Sequence, residues 1–158
     1  MDPRVPALFL DRDGVLIEDA GYVYRPEDVI WIPGVEQALR AWRKAGFRII
    51  VATNQSGVAR GFFDEAAVLR LHAWINQQLG SAIDAFYFCP HGPDSDCDCR
   101  KPRPGMFLQA IAEHNLDPAR SLAVGDSARD LEAAAGAGVR GVLYRGGNLA
   151  EFLKAYLP

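Results

Sequence analysis

With 158 residues, 49% of them apolar, the chain has the size and composition of one domain with a proper core. A net charge of -3 without a long basic run argues against nucleic acid or an anionic membrane surface as partner. No stretch approaches the ~20 apolar residues of a transmembrane helix. Met1-Asp2-Pro3-Arg4 does not open a signal peptide. A cytoplasmic protein is expected, with residues 1–158 as a single domain and a monomer.

The first legible element is Ala7-Leu8-Phe9-Leu10, which runs directly into Asp11-Arg12-Asp13-Gly14-Val15. A short, continuously apolar run fits a strand buried on both faces of a parallel sheet. In an extended chain residues two apart point the same way, so Asp11 and Asp13 reach one site while Arg12 turns aside. Residues 18–29 show no clean period and read as a long loop over the end of that strand. Long ordered loops in compact domains often carry function.

Pro33-Gly34 then opens a helix with Val35, Ala38, Leu39 and Trp42 on one face, closed by Gly46. Phe47 to Ala52 is a second buried strand, ending in the polar cluster Thr53-Asn54-Gln55-Ser56-Gly57. Asp64 is the expected N-cap of a helix to about Leu79, with Val68, Leu71, Ile75 and Leu79 on its buried face. A third strand covers Ala85 to Phe88. After a loop to Cys99 and the run Arg100-Lys101-Pro102, a helix reaches about His114. A fourth strand, Ser121 to Val124, ends in Gly125-Asp126-Ser127. A short helix from Asp130 to Gly136, a fifth strand from Val139 to Tyr144 and a terminal helix complete the chain. His72 and His114 read as surface helix residues.

Strands alternating with helices predict an α/β fold, a doubly wound Rossmann-like parallel sheet with helices on both faces. Right-handed crossovers allow the order 3-2-1-4-5, with the switch point between strands one and four. That order gathers Asp11 and Asp13 beside Asp126 and Asp130, with Thr53 on the other flank. Four carboxylates in one crevice repel one another. A hard cation such as Mg²⁺ relieves this, and it commonly binds together with a substrate phosphate. Lys101 and the Thr53 hydroxyl are what that phosphate needs opposite the cation. One aspartate can act as nucleophile and a second as general acid/base.

All three cysteines lie within the loop 89–99, as Cys89-x-His91-x5-Cys97-x-Cys99. Three thiolates and an imidazole close a tetrahedral, structural Zn²⁺ site with no open position. Such a metal would order the loop and fix Arg100 and Lys101 just beyond it.

The segments Asp11-Arg12-Asp13-Gly14-Val15, Thr53-Asn54-Gln55-Ser56-Gly57, Arg100-Lys101-Pro102 and Gly125-Asp126-Ser127-Ala128-Arg129-Asp130 resemble the four ordered motifs of the haloacid dehalogenase-like phosphatases. The resemblance covers nearly the whole chain. It implies Asp11 as nucleophile, Asp13 as general acid/base, and Thr53 and Lys101 as holders of the phosphoryl group. It further implies Mg²⁺ on Asp11, the Asp13 carbonyl and Asp126, supported by Asp130. Dehalogenase members lack the second motif aspartate, so Asp13 argues for phosphoryl transfer. The short connections leave no room for a cap domain.

Within the superfamily, the chain is similar to the capless zinc-loop subset. This includes heptose 1,7-bisphosphate 7-phosphatases and histidinol-phosphate phosphatases. Residues 18–23, 53–61 and 101–106 resemble the heptose enzymes closely. That match implies a sugar bisphosphate substrate, cleaved at its 7-phosphate, in contact with Asp19, Ala20, Gly21, Tyr22, Thr53, Asn54, Gln55, Ser56, Arg100 and Lys101. The short gap between His91 and Cys97 resembles the histidinol-phosphate enzymes instead. Ser127 stands where the heptose enzymes commonly have a lysine. A zinc-stapled binding module would not need the full set of Asp11, Asp13, Thr53, Lys101 and Asp126. A phosphomutase would need a cap to exclude water.

Overall fold

The computed structural model describes residues 3–158. Met1 and Asp2, part of the stretch read against a signal peptide, lie outside the described residues.

Five strands form one parallel sheet: β1 (Ala7–Leu10), β2 (Arg48–Asn54), β3 (Ala85–Cys89), β4 (Leu122–Gly125) and β5 (Arg140–Leu143). Their order is β3-β2-β1-β4-β5. The helices are α1 (Val35–Lys44), α2 (Glu65–Gln78), α3 (Gly105–His114), α4 (Ala128–Gly136) and α5 (Leu149–Lys154). Strand alternation divides the core in two. Leu8 and Leu10 of β1 join Ile49, Val51, Leu122 and Val124 under Trp42 of α1, Leu71 and Ile75 of α2 and Leu149 of α5. Ala7 and Phe9 face the other way, with Ile50, Ala52 and Ala123, onto Met106, Phe107 and Ala110 of α3 and Ala133 of α4. All four residues of β1 are therefore buried. A continuously apolar run is the consequence of having two covered faces.

Among the described residues, β1 and β2 are joined by one long loop and α1, and β2 and β3 by a loop and α2. No cap is inserted at either place. The loop after β1 carries a 3₁₀ turn (Pro26–Asp28) and is pinned by a bridge between Ile17 and Trp31.

The boundaries moved where pairing or capping outweighed hydropathy. The second strand continues two residues past Ala52, because Thr53 and Asn54 pair with Phe88 and Cys89. Asp64 caps α2 as expected, accepting from the Ala67 N–H at 2.8 Å. The fourth helix starts at Ala128, before Asp130, because Ser127 is its N-cap and Asp130 closes the capping box from the third helical position. His72 is corrected: it is buried on α2, 3% exposed, stacked on Phe86. Its helix packs over the sheet, so a polar residue on that helix's inner face is enclosed. His114 is half-buried and meets the Tyr87 ring edge-on.

No helix among the described residues is long and apolar enough to cross a membrane.

Candidate active site

The carboxyl ends of β1, β2 and β4 open into a cavity of about 490 Å³. In an open α/β sheet the switch point is where a crevice forms, since neighbouring connections leave in opposite directions. Asp11 follows β1 directly, and its N–H donates to the Val124 carbonyl at 3.1 Å. Asp126 follows β4. Gly14 lets the chain turn away between them: its φ is +90°, and a Cβ there would run into the Asp126 carboxylate.

Lys101 organises the floor. Its ammonium is buried, 3% exposed, and lies 2.7 Å from Asp130 Oδ1 and 3.2 Å from Asp11 Oδ1. It also donates to the Ala52 carbonyl at 2.7 Å. Burial alone would pull its pKa down, but Asp11 and Asp130 outweigh this and the net shift is upward. The backbone of Lys101 is held by Asn54, which accepts from its N–H at 3.0 Å and donates to its carbonyl at 3.2 Å. Asn54 thus positions the lysine from the end of β2. The peptide bond from Lys101 to Pro102 is cis.

Asp11, Asp126 and Asp130 present carboxylate oxygens within 4.8 Å of one another. Burial pushes Asp11 up to about 7; Lys101 opposes the rise, and Asp130, Asp13 and Asp126 add to it. Asp126 is also raised, first by burial and then by Asp130. Asp130 Oδ2 accepts from the N–H groups of Asp126 and Ser127 at 3.1 and 3.2 Å, so it is both a helix cap and a brace for Asp126. Three carboxylates facing one ammonium leave an excess of negative charge. An all-oxygen donor set of this kind suits a hard divalent cation.

Thr53, also buried, accepts from Gln55 Nε2 at 2.9 Å. Gln55 donates in turn to Asp13 Oδ2 at 2.9 Å. Asp19, Gly21, Tyr22, Asn54, Gln55, Ser56 and Arg100 line the cavity with the acids, Thr53 and Lys101. Ala20 is exposed and does not line it. Gly21 and Tyr22 both have positive φ, 82° and 55°, and the Tyr22 ring packs edge-on against Phe62.

Ser127, singled out in the sequence as a departure from the heptose enzymes, also lines the cavity, and two lining residues were not named as contacts: Arg60 and Arg129. Arg60 sits over the Tyr22 ring at 5.8 Å. Neither Arg60 nor Arg129 has an ion-pair partner among the described residues. An exposed arginine carries no signal in composition or period, so nothing in the sequence marked these two.

Beside the cavity, Cys89, His91, Cys97 and Cys99 bring three sulfurs and an imidazole nitrogen within 4.8 Å. None of the cysteines is in a disulfide. Cys89 lies 3.4 Å from His91 Nδ1 and 3.6 Å from Cys97 Sγ. Neighbouring sulfurs around a tetrahedral zinc are about 3.8 Å apart; the Cys89–Cys97 pair is close to this and the Cys89–Cys99 pair is drawn in to 2.6 Å, so the cluster has the donors of such a site in one place. Arg100 donates to the His91 carbonyl at 3.1 Å, and Arg103 to the Ser95 carbonyl at 2.9 Å. The knot therefore steadies the stretch that carries Lys101.

Carboxylates around a buried lysine, at the switch point of a parallel sheet, define a class of phosphoryl-transfer enzymes. The profile of the haloacid dehalogenase-like hydrolases matches residues 9–138, and the chain belongs to that family. It is a phosphatase. The chain is 46% identical over 152 residues to the D-glycero-beta-D-manno-heptose-1,7-bisphosphate 7-phosphatase of Haemophilus influenzae, covering 90% of this chain and 83% of that one. It is 42% identical over 165 residues to the enzyme of the same name from Rhodopseudomonas palustris, covering 98% and 92%. A crystal structure of D,D-heptose 1,7-bisphosphate phosphatase from B. bronchiseptica, in complex with magnesium and phosphate, superposes with a TM-score of 0.83. The two are 42% identical, over 97% of this chain and 88% of that one.

Proposed function

We propose that this phosphatase removes the 7-phosphate of D-glycero-D-manno-heptose 1,7-bisphosphate by way of an aspartyl-phosphate on Asp11. The observation that carries the reading is one cavity with two zones of charge. The acids and Lys101 lie at its floor, and the guanidinium groups of Arg60, Arg100 and Arg129 lie around it. A substrate with one reacting and one remote phosphate fits that division. The relatives named for this reaction support it.

Asp11 attacks phosphorus, and the P–O bond to the sugar breaks. Asp13 gives its proton to the departing alkoxide. Asp13, now a carboxylate, takes a proton from water, and that water attacks the aspartyl-phosphate. Phosphate leaves and Asp11 is restored. Lys101 and the Thr53 hydroxyl hold the phosphoryl oxygens throughout. Asp11, the Asp13 carbonyl and Asp126 would hold Mg²⁺, with Asp130 behind them. When bound, the cation neutralises phosphoryl charge and favours the ionised form of Asp11.

The Cys/His knot takes Zn²⁺ in a structural role, with no position left for substrate. Elemental analysis of protein purified without chelator tests this; less than a tenth of an equivalent of zinc would refute it. The protein acts in the cytoplasm as a monomer.

The deciding experiment compares kcat/KM, with Mg²⁺, for heptose 1,7-bisphosphate (both anomers) and histidinol phosphate. The heptose is expected to win by about 100-fold, which corresponds to ~2.7 kcal/mol of transition-state binding. The five-residue gap between His91 and Cys97 favours histidinol phosphate as a second reading. A reversed preference would establish it.

A further inference from the structure

Arg12 lies between the two motif aspartates in sequence and is fully buried, 0% exposed. It follows the end of β1 at a bend and does not line the cavity. Its guanidinium reaches four groups. Nη2 donates to Asp13 Oδ1 at 3.0 Å, to the Val23 carbonyl at 2.8 Å and to Gln55 Oε1 at 3.2 Å. Nε lies 3.3 Å from Asp13 Oδ1, and Nη1 meets His72 Nε2 at 3.3 Å. Gln55, held by Arg12 through its oxygen, gives its amide N–H to Asp13 Oδ2. Both oxygens of Asp13 are therefore held, one by Arg12 and the other by a group that Arg12 orients.

We propose that Arg12 is a positioning residue for proton transfer, tying the orientation of Asp13 to the seating, at Val23, of the long loop between β1 and α1. This rests on the acid/base reading of Asp13. An acid must present one oxygen to the leaving group within a few tenths of an ångström and a few degrees of the productive geometry. Rotation of a carboxylate is stopped by two holds, not by one. A lysine would balance the charge, but only a planar fork meets a carboxylate, a carbonyl and an amide at once. Residues 19–22, immediately before Val23, contribute Asp19, Gly21 and Tyr22 to the cavity wall. The side chain that orients the acid thus also anchors the loop against which the substrate lies.

The test is the dependence of kcat/KM on the leaving group. A sugar phosphate needs a proton on its departing oxygen, whereas p-nitrophenyl phosphate releases p-nitrophenolate, a stable anion that needs none. Asp13→Asn sets the reference, with a loss of ~10³-fold on the sugar phosphate and a much smaller loss on the aryl ester. Arg12→Lys keeps the charge and most of the volume. It is expected to lose about 30-fold on the sugar phosphate and under about 3-fold on the aryl ester, while its thermal melt stays cooperative. An equal loss on both substrates, or no loss, overturns the proposal. If Asp13→Asn shows no leaving-group split, the acid/base reading itself has failed, and that outcome is distinct. If Arg12→Lys does not fold, His72→Phe decides in its place. That variant removes the acceptor of Nη1 and keeps the ring against Phe86. A loss of several-fold confined to the sugar phosphate supports the proposal, and unchanged kinetics overturn it.

Discussion

At the floor of the cavity a buried lysine is matched in short contacts with two carboxylates; at the rim two exposed guanidiniums have no ionic partner among the described residues. Lys101 lies within 3.2 Å of two carboxylates and is enclosed by strand ends. Arg60 and Arg129 are exposed on loops and on the first turn of α4. At low dielectric a fixed ammonium acts strongly on a phosphoryl group and needs no reorganisation. In water the same charge acts weakly until a ligand excludes solvent. The floor should therefore govern whether any ester is cleaved, and the rim which ester is preferred.

The largest effect is expected from Asp11→Asn. Phosphate release should fall by at least about 10³-fold on every ester, aryl phosphates included, because the covalent route is closed. A residual rate that still discriminates among substrates would place the nucleophile elsewhere.

Lys101→Met follows. It leaves Asp11 and Asp130 buried against each other, and removing one partner of a buried ion pair costs about 3–5 kcal/mol. Urea unfolding of the metal-free protein at neutral pH should show that loss. Binding of Mg²⁺ should recover part of it, since a cation then replaces the missing charge.

The rim comes next. Arg60→Ala and Arg129→Ala should each lower kcat/KM for a sugar bisphosphate by about 10-fold, the scale of one charge-assisted contact. They should leave p-nitrophenyl phosphate hydrolysis unchanged. Equal losses on both substrates would dissolve the distinction between floor and rim.

The last effect lies under the floor and is read in stability, not in catalysis. Burial, with help from the Arg12 guanidinium, pulls His72 down to about 3. The folded protein therefore keeps this imidazole neutral, while the unfolded chain protonates it below its ordinary value near 6.5. The unfolded state binds more protons, so stability is complete above that pH and is lost as pH falls toward 3. Between pH 6.5 and 5 the loss is about 2 kcal/mol. His72→Phe should flatten this part of the profile in urea titrations at successive pH values.

Much of the floor was legible because its residues sit at strand ends, where hydropathy changes abruptly. Apolar runs that stop at Asp11, Thr53 and Asp126 reveal both a strand and the direction of its polar end. Alternation with helices then leaves few topologies, and the observed one gathers those ends. Asn54 was named as a substrate contact, but its reciprocal bond with Lys101 joins residues 47 positions apart and has no local signal. His72 was misjudged, and the burial of Arg12 had no signal, for a related reason. A helical position suggests exposure for His72, yet it and the other distant partners of Arg12, Val23 and Gln55, come from separate segments and enclose the guanidinium only after folding. Arg60 and Arg129 were missed because an exposed cation means nothing until the wall it stands on is known.

The sequence by itself determined the strands, their parallel arrangement, the acids and lysine of the site and the grouping of the three cysteines with His91. These depend on local hydropathy, on spacing and on residue type, all of which survive in one dimension. Tertiary structure alone decided which charges are paired, which stand free at the rim and that an arginine lies buried beneath them. Pairing and burial depend on distances between segments far apart in the chain, and those distances exist only once the sheet has formed.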